Sequence, residues 1–95
     1  MTELSSFIQA PYNDLVVFDL ANWYYDKEEY AAALSFYLRV TECSKNDLLI
    51  YESLLKCGLC FEKQSWRKTY AKGMYLHAIS VLPMKSEGHF LLSRL

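Results

Sequence analysis

The chain predicts an all-α domain of about five helices packed as antiparallel pairs. Three observations predict it. Glycine and proline are scarce, 3 and 2 in 95 residues, so breaks in regular structure must be few. Leu, Ala, Tyr and Lys are frequent, small and aromatic residues recur three and four apart, and no alternating strand pattern competes. Short polar segments separate the apolar stretches: "DKEE" at 26–29, "SKND" at 44–47 and "QSWRK" at 64–68. Connections this short make neighbouring helices antiparallel.

Each element follows in turn. Residues 1–13 form a short lead in which the Pro11 ring interrupts any early helix. Asn13 or Asp14 is suited to cap a helix over about Asp14–Asp26, because its side chain accepts from free first-turn amides. A second helix, rich in Ala and Tyr, is expected over about Glu28–Cys43. Asn46 or Asp47 can cap a third, which runs to about Lys63. A fourth is expected over about Trp66–Leu82, stopped by Pro83. Ser86 can cap a fifth through "EGHFLLSRL".

Composition narrows the class. At 53% hydrophobic and 22% charged residues the chain is too apolar for disorder and too charged for a membrane span. The longest uncharged stretch, Gly73–Met84, falls far short of the roughly 20 residues that a transmembrane helix needs. Ten basic and eleven acidic residues leave a net charge of −1, so no nucleic-acid footprint is expected. The N-terminal "MTELSSFIQAPY" carries an acid where a signal peptide needs a base, so no targeting segment is expected. Three cysteines, an odd number, argue against a disulfide-stapled secreted domain. These features point to a reduced, cytoplasmic domain.

An internal repeat organises the chain. Small residues stand at Ala21 and Gly58, 37 positions apart, each followed three residues later by an aromatic, Tyr24 and Phe61. Small residues recur in the next helix at Ala33 and Ala71, 38 positions apart, each followed four residues later by Tyr37 and Tyr75. A third copy opens at "FLLSRL" with Ser93 in the small slot. A small residue lets a partner helix approach closely, and an aromatic one turn away fills the space between pairs.

This ordered set resembles the tetratricopeptide repeat, a helix–turn–helix unit of about 34 residues. Val17, Leu20, Ala21 and Tyr24 match the first-helix pattern, and Tyr30, Ala33 and Tyr37 match the second, with Val40 departing from the usual alanine. Leu54, Cys57, Gly58 and Phe61, then Ala71, Tyr75, Ala78 and Pro83, match in the second repeat. Phe90, Leu92 and Ser93 match in the third. The chain then divides into a lead (1–13), two repeats (14–46 and 47–83) and the first helix of a third (84–95). The resemblance implies a short stacked α-solenoid that binds proteins and carries no catalysis.

In this family the first helices of the pairs line a concave groove for a peptide or a partner helix. By resemblance the groove positions are Phe18, Asn22, Tyr25, Lys56, Leu59, Glu62, Lys63 and Arg94. Tyr and Arg favour such a role because they join large contact area to hydrogen bonding. Asn22 fits the asparagine of the family's clamp for a C-terminal carboxylate. Phe18, however, stands where a lysine belongs and Lys56 where a second asparagine belongs. A more hydrophobic ligand segment is therefore expected.

Other chemistry finds less support. Cys57 and Cys60 form a Cys-x-x-Cys pair in mid-helix, without the preceding strand and helix N-terminus that lower a thiol pKa in redox couples. A zinc site needs four ligands, and Cys43, His77 and His89 lie at no fitting spacing. A redox or zinc module is the remote alternative; packing is the expected role of the pair. No nucleophile and base can be assembled from the sequence, so neither catalysis nor a metal or cofactor is expected.

Apolar surface suggests self-association. The second helix, "YAAALSFYLRV", is apolar almost all round, and the fifth carries Phe90, Leu91 and Leu95. Leu38, Phe90, Leu91 and Leu95 are the candidate contacts, and the expectation is a homodimer, for instance by exchange of the terminal helix, or a segment of a longer protein. The repeats "YAAALSFYLR" and "LLSRL" are also similar to repeats attached to bacterial and phage glycosyltransferase domains. That implies, as an alternative, an accessory segment of a larger enzyme, with no catalytic residue of its own.

Overall fold

The computed structural model describes residues 13–64 and 67–95. They form five α-helices: α1 (Asp14–Asp26), α2 (Tyr30–Cys43), α3 (Asp47–Lys63), α4 (Lys68–Val81) and α5 (Ser86–Ser93). No strand occurs among the described residues, so the chain is all-α there. Each helix packs on the next in the chain, and α1 also touches α3. The result is elongated, 45 × 27 × 18 Å.

Local chemistry sets the helix ends. Asn13 Oδ1 accepts from Val16 N at 3.2 Å and Asn46 Oδ1 from Leu49 N at 3.1 Å, so asparagine caps both α1 and α3. Two expected starts move. The second helix begins at Tyr30 rather than Glu28, because Glu28 adopts φ 63°, a left-handed turn that no helix continues through. Ser86 is the first residue of α5, not its cap; extended Lys85 precedes it. The fourth helix begins at Lys68, and the Ser65 and Trp66 of the expected turn lie outside the described residues, as does the lead at 1–12. α4 ends at Val81, one residue short of expectation, with Pro83 just beyond its cap residue Leu82.

The helix α3 is the centre of the molecule. Nine of its residues are buried, against three or fewer in any other helix. One face contributes Tyr51, Leu54, Leu55 and Phe61 to a cluster with Ala71, Tyr75 and Ala78 of α4. Another contributes Cys57 and Cys60 to a cluster with Ala21, Ala33 and Tyr37. The "KCGLCF" stretch thus faces both neighbours. Gly58 lies where a Cβ would stand 2.2 Å from Tyr75 Cε1, so only glycine allows α4 this close.

Polar contacts tie the ends. Ser44 Oγ donates to the Asp14 carboxylate and accepts from Asn46 N at 3.1 Å, pinning the start of α1 to the α2–α3 turn. Gly88 N donates to Tyr51 Oη at 2.8 Å, which anchors α5 on α3.

Two expectations about surface are corrected. The small residue buried in α5 is Gly88, packed against Ile79 and Tyr51, whereas Ser93 is exposed and bonds to Phe90 O. The α2 helix, apolar in sequence almost all round, exposes none of its large apolar side chains. It lies between α1 and α3, and Leu34, Phe36 and Leu38 are half-buried against the clusters.

Candidate protein-interaction face

The residues expected to line a groove stand on α1, on α3 and at the end of α5, and several meet in pairs. Lys56 Nζ of α3 lies 4.5 Å from the centre of the Tyr25 ring of α1. Tyr25 in turn packs edge-on against Tyr30, centroids 5.3 Å apart, and Lys63 Nζ sits 5.9 Å over the Tyr30 ring. Glu62 of α3 accepts from Arg94 Nη2 at 2.8 Å, just beyond α5. Expected groove residues therefore link α1 to α3 by Tyr25–Lys56, and α3 to the residue after α5 by Glu62–Arg94.

Second-helix tyrosines orient this face. The Tyr37 hydroxyl of α2 donates to Asn22 Oδ1 of α1, and Phe18 packs edge-on against the same ring at 5.7 Å. The Tyr75 hydroxyl of α4 donates to Glu62 Oε2 of α3. Tyr37 and Tyr75 are equivalent in the repeat, whereas their acceptors differ: Asn22 follows Ala21 directly, and Glu62 lies four residues after Gly58. Sequence reasoning gave these tyrosines only a space-filling role. The signal was the choice of Tyr over Phe at a buried slot, since a buried hydroxyl needs a partner.

Most polar groups on the face are thus already engaged. Asn22 is held by Tyr37 and Glu62 by Tyr75 and Arg94, while Lys56 and Lys63 rest on aromatic rings. Leu59 is half-buried between Lys56 and Glu62 along α3. With Glu62 balanced by Arg94, the expected groove residues keep two uncompensated positive charges, Lys56 and Lys63.

The titrations follow burial. Burial pushes the Tyr25, Tyr37 and Tyr75 hydroxyls above the ordinary tyrosine value, and for Tyr75 the bond to the Glu62 carboxylate adds to the shift. Burial likewise raises the Cys57 thiol, and pushes Cys60 up to about 12 with Lys56 opposing. Cys57 and Cys60 are free thiols packed under α2, while Cys43 is exposed. A buried thiol held in its protonated form is a poor nucleophile. Among the described residues no group of three or more His, Cys, Asp or Glu could hold a metal ion. No helix of the described residues is long and apolar enough to cross a membrane.

The self-association candidates separate. Leu38 and Leu91 are half-buried against the two clusters, whereas Phe90 and Leu95 are exposed. Two helix faces outside the self-association candidates are more open. Leu15, Val16, Leu20 and Trp23 are exposed on α1, with Lys27 Nζ 4.9 Å over the Trp23 ring. Tyr70 and Leu76 are exposed on α4. No protein-family model, curated protein or solved structure matches the chain.

Proposed function

We propose that the chain is a non-catalytic interaction module of tetratricopeptide type, stacked as a short solenoid, that takes a peptide or partner helix across α1, α3 and the end of α5. The observation that carries this reading is the pair of links Tyr25–Lys56 and Glu62–Arg94, which join expected groove residues of α1, α3 and the end of α5. The doubled Ala21–Tyr37 and Gly58–Tyr75 packing supports the repeat. Lys56 and Lys63 favour a ligand that combines apolar contacts with carboxylates.

A peptide library selected on the wild-type chain tests it. Selected peptides are expected to be enriched in Asp and Glu beside apolar residues. Tyr25→Ala and Lys56→Glu are expected to weaken them at least tenfold, with helical content unchanged. Equal binding by these variants and by wild type would place the ligand elsewhere. A Ser80→Glu change on α4 serves as the control.

A further inference from the structure

The exposed face of α1 has an internal counterpart that is covered. Val16, Leu20 and Trp23 lie on one helical stripe and are 47%, 39% and 52% exposed. The residues 37 positions later, Ser53, Cys57 and Cys60, are each 0% exposed. Cys57 and Cys60 pack against α2, with Ala33 and Tyr37 in the same cluster. The repeat therefore uses this stripe as a helix-packing surface in α3 and leaves it open in α1.

The opposite end of the molecule offers a fitting surface. A groove between the start of α4 and the end of α5 is lined by Lys68, Thr69, Lys72, Leu92 and Leu95. Charge distinguishes the two ends. The α1 helix carries Asp14, Asp19 and Asp26 and no basic residue, and Asp19 stands within the stripe, three residues after Val16 and four before Trp23. The groove carries two lysines and no acidic side chain. One end thus presents apolar residues around Asp19, with Lys27 over the Trp23 ring at the far end of the stripe, and the other presents apolar residues beside two bases.

We propose that the α1 stripe of one copy docks in the α4–α5 groove of a second copy, head to tail, with Trp23 and Leu20 against Leu92 and Leu95 and Asp19 facing Lys68 and Lys72. The two surfaces differ, so the contact is heterologous and repeats until it closes a ring or extends. It uses none of the residues assigned above to peptide binding, and either reading can fail alone.

Sedimentation velocity on the full chain, at low salt and up to about 1 mM, the weak end of specific association, tests this. The mass of the wild type is expected to rise with concentration and to fall with added salt. Trp23→Glu removes the head and Leu95→Lys the tail, and each alone is expected to be monomeric with unchanged helical content, because both side chains are exposed. Their mixture keeps one head and one tail and is expected to stop at a one-to-one dimer. Asp19→Lys abolishes association, and Asp19→Lys with Lys72→Glu in one chain restores it. A wild type that stays monomeric throughout overturns the proposal and leaves the α1 face to a different protein. Wild-type-like association of the Leu95→Lys variant overturns it in favour of a symmetric α1–α1 contact, and a folded mixture that stays monomeric overturns it as well.

Discussion

Gly58 of α3 and the Tyr75 ring of α4 share a space in which no side chain fits: a Cβ at Gly58 would lie 2.2 to 2.8 Å from three ring carbons. The ring cannot retreat easily, because its hydroxyl is held by Glu62. Gly58→Ala is therefore expected to destabilise the fold by about 2 kcal/mol or more, despite the better helix propensity of alanine. Gly73, with nothing near its Cβ position in the middle of α4, gives the opposite sign. Gly73→Ala is expected to stabilise by about 0.5–1 kcal/mol. Urea unfolding of both variants checks the pair, and a stable Gly58→Ala protein would contradict the close approach of α4.

Ser53 is fully buried in α3, and its hydroxyl has no hydrogen-bond partner among the described residues. An unpaired buried hydroxyl costs about 1–3 kcal/mol. Ser53→Ala removes that group without changing the backbone and improves helix propensity. A gain of about 1 kcal/mol is expected in urea or thermal unfolding. A loss of similar size would mean that the hydroxyl bonds to the chain after all.

Glu28 adopts φ 63° in the three-residue connection between α1 and α2. A side chain in this region costs about 1 kcal/mol that glycine avoids. Glu28→Gly is expected to raise stability, or at worst leave it unchanged, although glycine elsewhere in the molecule would lower it. Thermal unfolding of Glu28→Gly beside Glu29→Gly separates the two cases.

The folded chain holds the protons of Cys57, Cys60, Tyr37 and Tyr75 more tightly than the unfolded chain does. The stability linked to this preference is complete below the unfolded values, about 8.5 for cysteine and about 10 for tyrosine, and is lost as pH rises past them toward the folded values. The urea midpoint is thus expected to fall from about pH 8.5 to pH 11, and to fall less steeply above about pH 10 in Tyr75→Phe. In the native protein at neutral pH one thiol, Cys43, is expected to react quickly with a disulfide reagent, and all three in denaturant. A midpoint that does not change with pH, or three fast thiols, would contradict the burial described.

The helices were legible because their signals are local. Asn13, Asn46 and Pro83 mark ends, and the 37- and 38-residue offsets place Ala21, Gly58, Ala33 and Ala71 at helix contacts, where all four are buried. What sequence pattern missed depends on neighbours. The apolar surface of α2 is covered from both sides, which no property of α2 alone reveals. The Leu20 slot reads as core, yet Leu20 is 39% exposed on α1. Ser93 matches the small slot by spacing but is exposed, and the close contact in α5 is made by Gly88. The links between expected groove residues needed the three-dimensional register of α1 against α3, because Tyr25 and Lys56 are far apart in the chain.

The packing of each helix mainly on its neighbour in the chain has a kinetic consequence. Contacts between consecutive helices close short loops, so relative contact order is low and little chain entropy is lost before native contacts form. Domains of this kind fold in about microseconds to milliseconds. The α3–α4 hairpin joins the helix with the most buried residues to its partner through a connection of four residues, 64–67, and is the natural place for the first native contacts to form, with α2 and then α1 condensing upon it.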